Sequence, residues 1–411
     1  MFQDNMKTIF IFLFLTVLSV TVEAQGKRPE GIKIQQCYEI SNSRHMDLWE
    51  SSALLKLFKQ SGKQFLLKSR LQNGKLDLSL FQLKSNLFKK VNSIVLKAPE
   101  SLYETPVFEV FDSVLYVGCQ KRLWVLTTNG KSMSIARGPV KIDNIKGRID
   151  AIYYHAPKRK LFIYDPGYFS SRPEMHEPRI FAFSTEDNRL ALLDSFDWNL
   201  KFDHLEPFIT FSDNQLVSFK NGRAYCIHPF LDSMCIVDLD DWSLSCKAIR
   251  LPTAFKPDAQ VMDVVRSELM TFMQIGVGYK IRDIISNQSP SIMAIHSLTA
   301  VDFVLILTMP DSINEKLKFY TLRYNLDNGG SDVHNEDSTY FQWPNREDQD
   351  YSIITAFNFI SAEDTRYFYV VIKSGENINH HDWRLLVQHK STLFHKMNQQ
   401  HLQILKCTTE R

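Results

Sequence analysis

Short apolar runs rich in Val, Ile, Phe and Tyr return every 8–15 residues along this chain, separated by Asn-Gly, Asp-Asn, Asp-Pro-Gly and Pro-Lys turn signals. Runs this short, bounded by turn residues, read as strands, and their regular return is the mark of a sandwich, barrel or propeller. The clearest are Val107–Val117 and Arg122–Thr127, then Ile149–His155, Lys160–Tyr164, Arg179–Ser184 and Leu190–Phe196. Phe208–Phe211, Gln215–Phe219, Arg223–Ile227, Met234–Leu239 and Ser243–Leu251 follow, and later Ile292–Leu298, Phe303–Met309, Lys318–Tyr324 and Arg366–Lys373. Groups of about four strands start near residues 107, 149, 207 and 351, with weaker starts near 64, 259 and 292.

A propeller blade is a four-stranded sheet of roughly 40–60 residues, and a closed ring of blades removes the exposed sheet edges that an open sheet of this size would carry. The fold expected is therefore all-β, a β-propeller of six blades, with seven as the alternative. One domain accounts for 25–411, with an N-terminal extension over about 25–63. Within it, Met46–Phe58 has helical spacing at Leu48, Ala53, Leu55 and Phe58 and is expected as a helix outside the ring. The polar stretch Asn325–Asp337 reads as a long surface loop, because strands resume on both sides.

Lys7, the apolar run Ile9–Val20 and the short residues Val22 and Ala24 form a signal peptide over 1–24. That run is shorter than the ~20 residues a membrane span needs, and the chain is expected to be secreted and extracellular. Lys+Arg 48 against Asp+Glu 46 gives +2, and removing Lys7, Asp4 and Glu23 leaves 47 against 44. A balance this even offers no footprint for nucleic acid or an anionic membrane.

An oxidising compartment makes Cys37, Cys119, Cys226, Cys235, Cys246 and Cys407 disulfide candidates. Six cysteines allow 15 full pairings. Cys37 and Cys407 lie near the two ends of the mature chain, where a bridge would tie the termini. A hairpin turning at Asp240-Asp241 would set Cys235 opposite Cys246, and one turning near Phe230-Leu231 would set Cys226 opposite Cys235; only one of these bonds can form. Asn287 heads the one glycosylation sequon, followed by Pro290.

Hydrolase, P-loop and dinucleotide signatures are absent, so no catalytic residue, metal or cofactor is assigned. His380-His381-Asp382 is not read as a metal site, since neighbouring residues on a strand point to opposite sides. Asp165 and Asp238 each end an apolar run, where an Asp caps a turn or meets a ligand. Tyr153, Tyr154 and Tyr164 either pack the core or offer a ring on which an amine or indole stacks. His228 and His296 are open to a structural hydrogen bond or to pH-dependent binding.

Three passages carry a family resemblance. Leu161-Phe162-Ile163-Tyr164-Asp165-Pro166-Gly167 followed by Glu177-Pro178-Arg179-Ile180-Phe181-Ala182-Phe183 is the first. Ala224-Tyr225, Cys235-Ile236-Val237-Asp238-Leu239 and Phe255-Lys256-Pro257-Asp258 make up the second, and Ile295-His296-Ser297-Leu298-Thr299-Ala300-Val301-Asp302-Phe303 the third. With the softer Tyr367–Lys373, their order and spacing resemble the yellow / major royal jelly protein family over about residues 107–373. The resemblance implies a secreted six-bladed propeller with a ligand site at one end of a central tunnel. Glu177 and His228 depart from the family pattern, and a family cysteine is absent around Lys158-Arg159, so no disulfide set carries over.

The function expected is a non-enzymatic propeller binding a small molecule, biogenic amine-like or otherwise aromatic or amphipathic, with Tyr154, Asp165, His228 and His296 as candidate contacts. One alternative is a pigment-pathway enzyme acting on dopachrome-like substrates with His228 as base. Another is a storage, food or venom protein acting through its surface.

Overall fold

The computed structural model describes residues 33–40, 55–102, 106–145, 147–165, 179–185, 191–197, 217–227, 233–249, 251, 255, 290–311, 316–327, 340–342, 351–352, 357–360, 367–376 and 401–408. The expected signal peptide over 1–24, His228, Asn287 and His380-His381-Asp382 lie outside them. Every extended element described is a strand. β1 (Lys33–Ile40) comes first, followed by β2 (Leu55–Gln60), β3 (Lys63–Gln72), β4 (Lys75–Lys84) and β5 (Leu87–Leu96). The second group is β6 (Val107–Phe111), β7 (Val114–Cys119), β8 (Arg122–Thr128) and β9 (Met133–Lys141). The third is β10 (Ala151–His155), β11 (Lys160–Asp165), β12 (Arg179–Ser184) and β13 (Ala191–Asp197). The fourth is β14 (Val217–Lys220), β15 (Arg223–Ile227), β16 (Ser233–Asp238) and β17 (Leu244–Ala248). After it come β18 (Ser291–Ser297), β19 (Asp302–Asp311), β20 (Lys316–Asn325) and β21 (Tyr340–Gln342), and finally β22 (Tyr351–Ser352), β23 (Phe357–Ile360), β24 (Tyr367–Glu376) and β25 (His401–Thr408).

These strands make a β-propeller. Groups two to five are separate four-stranded antiparallel meanders, while β2–β5, β1 and β22–β25 join in one nine-stranded sheet. The first strands touch in turn around a closed ring, β2 to β6 to β10 to β14 to β18 to β23 and back to β2. They line the axis, and the later strands of each meander step outward.

Among the described residues, four gaps between neighbouring sheets are each filled by their own core. Phe65, Leu67, Leu76, Leu78 and Leu80 face Leu115, Val117, Trp124 and Leu126. Leu123, Ile149, Ile152, Leu161, Ile163 and Phe183 fill the next gap, then Phe162, Tyr164, Ile180, Ala224 and Val237, then Tyr225, Ile236, Ile295, Phe303 and Leu305. A second strand is therefore buried on both faces, as in β11, where Leu161 and Ile163 serve one gap and Phe162 and Tyr164 the other. At about 1.5–3 kcal/mol per fully buried large apolar side chain, these gaps dominate stability. The outermost strand β17 is exposed throughout.

The nine-stranded sheet folds over on itself. Tyr38 and Ile40 of β1 and Ile404 of β25 pack against Leu55, Leu57 and Leu66, the face of β2–β5 opposite the one that meets β6–β9. Only a short parallel contact, Glu39 with Leu87 and Ile40 with Phe88, connects the two halves. β1 is otherwise the antiparallel partner of β25, so the two ends of the described chain close the ring side by side.

One expectation is corrected here. Leu55–Phe58 is not the end of an outer helix but part of β2, an innermost strand; residues 46–54 are outside those described. In-register pairing from Leu55↔Lys68 to Gln60↔Lys63 satisfies its backbone, and burial of Leu55 and Leu57 on one face and Phe58 on the other decides for the strand. Within the N-terminal extension over 25–63, the described strands β1 and β2 are both members of the nine-stranded sheet.

Candidate functional site

Charged and polar groups gather where the first strands converge. Lys56 on β2 donates to Glu109 on β6 across 2.7 Å, with side chains only 12% and 16% exposed. Lys220 ends β14, and burial, with Lys56 as the second cause, lowers its pKa. His296 on β18 is only partly exposed as a residue, and enclosure of its imidazole pushes its pKa down to about 3, helped by Lys220 and then Lys56. Glu109 also reaches Tyr153 on β10 electrostatically, though burial is the main reason that phenol's pKa is raised. Ser218 on β14 accepts the backbone N–H of Ser297 at 3.0 Å, tying β14 to β18.

Four innermost strands thus bring Lys56, Glu109, Lys220 and His296 into one electrostatic group. Glu109 is the one polar residue of β6, while Lys56, Lys220 and His296 share their strands with Lys59 and Gln60, with Ser218, and with Ser291 and Ser297. The group joins two lysines, one carboxylate already paired with Lys56, and an imidazole whose lowered pKa keeps it neutral at neutral pH.

The other candidates have local duties. Asp165, 2% exposed, accepts backbone N–H bonds from Gly147 and Arg148, each at 3.2 Å. This is capping, which a buried carboxylate at a strand end performs by satisfying donors that have no ladder partner. Asp238 likewise accepts from the N–H of Asp240 at 3.0 Å in the β16–β17 turn. Tyr154 stacks between sheets, 4.7 Å from Phe111 and 5.7 Å from Tyr116. Tyr153 points into the opposite gap, parallel to Phe219 at 5.5 Å, and its hydroxyl oxygen accepts the Gly222 N–H at 3.3 Å. Tyr164 is buried in that same gap. Of the sequence candidates among the described residues, His296 belongs to the axial group; Lys56, Glu109 and Lys220 were not anticipated, and His228 lies outside the described residues.

The hairpin arithmetic on the cysteines is reproduced in the register, where Cys226 faces Cys235 and Cys235 faces Cys246. Cys235 and Cys246 bring their Sγ atoms to 2.6 Å, and burial pushes the thiol pKa of both Cys226 and Cys235 up. Cys119 is buried at the end of β7. Cys37 and Cys407 lie on the paired strands β1 and β25, staggered so that Cys37 meets Leu405 and Cys407 meets Ile34. Among the described residues no three His, Cys, Asp or Glu side chains gather as a metal site, and no helix is long and apolar enough to cross a membrane.

No family model matches this chain, and no curated protein matches it. Similar solved structures include a putative exported protein from Bacteroides fragilis, 13% identical with a TM-score of 0.49 over 92% of this chain and 96% of that one. A member of the DUF4221 family from Bacteroides vulgatus is 12% identical, TM-score 0.47, over 93% and 100%. A luciferin-regenerating enzyme is 7% identical, TM-score 0.42, over 90% and 94%. None of these likenesses bears on what the chain binds.

Proposed function

We propose that this chain is a secreted, non-enzymatic β-propeller that binds a small molecule on the ring axis. The observation that carries the reading is the convergence of Lys56, Glu109, Lys220 and His296 from four different first strands. Buried charge is costly unless partnered, and outside a binding site an apolar residue at each of these positions would stabilise the ring more. The sequence resemblance to the yellow / major royal jelly protein family supports the same role, and the signal peptide supports secretion.

The propeller is assigned six blades. Five are β2–β5, β6–β9, β10–β13, β14–β17 and β18–β21, and the sixth is β23, β24 and β25 with β1 as its outer strand. Six first strands in cyclic contact support this count, as does the doubling back of the nine-stranded sheet. Sharing the last blade between the two ends of the chain closes the ring, which a propeller needs because its blades are otherwise held only by face packing.

The test is native mass spectrometry of the protein purified from culture medium, followed by calorimetric titration with small amines, carboxylates and phosphate. One molecule retained or bound per chain, lost on Lys220→Gln, is the expected result. A chain that retains nothing and binds no member of the panel contradicts the reading.

A further inference from the structure

The six first strands differ in charge from the rest of the molecule. Together β2, β6, β10, β14, β18 and β23 carry three lysines (Lys56, Lys59, Lys220), two histidines (His155, His296) and one acid, Glu109. The whole chain, by contrast, is nearly balanced at +2. That one acid is already engaged, its Oε2 held 2.7 Å from Lys56 Nζ. Lys59 is exposed, which leaves Lys56 and Lys220 as the ammonium ions of the axial group.

The ring order puts these two lysines on opposite sides. From β2 to β14 is three steps in either direction around the cycle of first strands. Lys220 nevertheless senses Lys56 across the axis, and His296 senses both. Two ammonium ions on opposite first strands repel in a partly desolvated space, and a single carboxylate, bound to one of them, offsets that repulsion only in part. A cationic ligand entering the same space would add a third positive charge and compete with Lys56 for Glu109. An anion between the lysines would be attracted by both, with Glu109 as its one repulsive neighbour in the group. The neutral imidazole of His296 adds an N–H donor and no charge to the same place.

We infer that the axial site takes a small molecule bearing an oxyanion, a carboxylate or a phosphate, held between Lys56 and Lys220 with His296 as a hydrogen-bond donor. This rests on the axis being the binding site and names the chemistry of its ligand. The amine suggested by the family resemblance suits the group less well.

A matched pair of probes tests the sign of the ligand's charge. Indole-3-acetate and tryptamine share an indole body and differ in carrying a carboxylate or an ammonium ion; inorganic phosphate is the third probe. Each is titrated calorimetrically into the full secreted chain at pH 7.5 and 0.15 M salt. The expected result is saturable binding of indole-3-acetate or phosphate at one per chain, the tighter of the two identifying the oxyanion. Affinity should fall at least tenfold in Lys220→Gln and in Lys56→Gln, recover in part in Lys220→Arg, and hold in the surface control Lys59→Gln. Should Lys220→Gln fail to fold, Lys220→Arg and Lys56→Gln carry the comparison.

Tighter binding of tryptamine, weakened by Glu109→Gln, would overturn the anion while leaving the axial site in place. Retention of a neutral molecule in native mass spectra without binding of either anion would do the same. If no probe binds and nothing is retained, the binding role itself fails and the anion with it.

Discussion

Lys56 Nζ and Glu109 Oε2 meet at 2.7 Å and join two neighbouring first strands of the ring, each side chain less than a fifth exposed. The pair is the one place where the axial group balances its own charge, so it links the stability of the ring to the state of the site. Removing one member leaves the other partly buried without its partner, which costs more than the pair contributes. Glu109→Gln is therefore expected to destabilise the protein by roughly 2 kcal/mol, and Lys56→Met with Glu109→Leu to recover most of that loss. The shift of the urea midpoint measures both.

Asn221 and Gly222 form the β14–β15 turn with φ of 49° and 73°, nearly the same as Ser61 and Gly62 at the β2–β3 turn, 50° and 73°. The two glycines differ only in their surroundings. A Cβ at Gly62 would meet nothing within 4 Å, whereas one at Gly222 would lie 3.0 Å from His155 Cε1. Gly62→Ala then reports the cost of a left-handed backbone, about 1 kcal/mol, and Gly222→Ala the same cost plus displacement of the His155 ring. Gly222→Ala should lower the melting temperature clearly more than Gly62→Ala; equal shifts would show that the contact is soft.

His296 is kept neutral in the fold by burial and by Lys220 and Lys56, with a pKa of about 3, while its unfolded value is near 6.5. Between those two values the unfolded chain binds the extra proton and the folded one does not. Stability is therefore fully present above pH 6.5 and is lost as pH falls towards 3. By pH 5 the loss from this one group is about 2 kcal/mol. The urea midpoints at pH 7.5 and pH 5 should differ by less in His296→Gln than in the unaltered chain. Identical pH dependence in the two proteins would show that the imidazole protonates freely in the fold.

Cys235 stands between Cys226 and Cys246 in register and can bond to only one of them. The short Sγ approach and the exposure of Cys246 on the outer strand favour the Cys235–Cys246 bond in an oxidising compartment. Peptide mapping without reduction should recover that linked pair, and Cys246→Ser should cost about 2–3 kcal/mol. Recovery of a Cys226–Cys235 peptide would reverse the assignment.

Strand rhythm was legible because the second strand of each meander is buried on both faces. Leu161–Asp165 and Phe303–Leu307 are continuous buried runs that no helix of that length would require. The group starts near 107, 149 and 292 fall within two residues of β6, β10 and β18. The β15–β16 and β16–β17 registers followed from counting outward from short turns, which is local geometry. What stayed hidden is non-local. Lys33–Ile40 says nothing of its partner β25 at the other end of the chain, and Leu55–Phe58 has apolar spacing that fits a helix as well as a strand. Lys56, Glu109 and Lys220 were passed over because a lone charge in a short apolar strand looks solvated until the strand is known to line an axis. The signal that could have found them is the scarcity of charge in the opening strand of each meander.

The most direct measurement is a crystal structure of the secreted chain with the tightest-binding member of the titration panel. The molecule is expected on the ring axis, with an oxyanion within hydrogen-bond reach of Lys56 Nζ or Lys220 Nζ. A ligand seated on the outer strands or in a peripheral loop, with the axial lysines unengaged, would contradict the account.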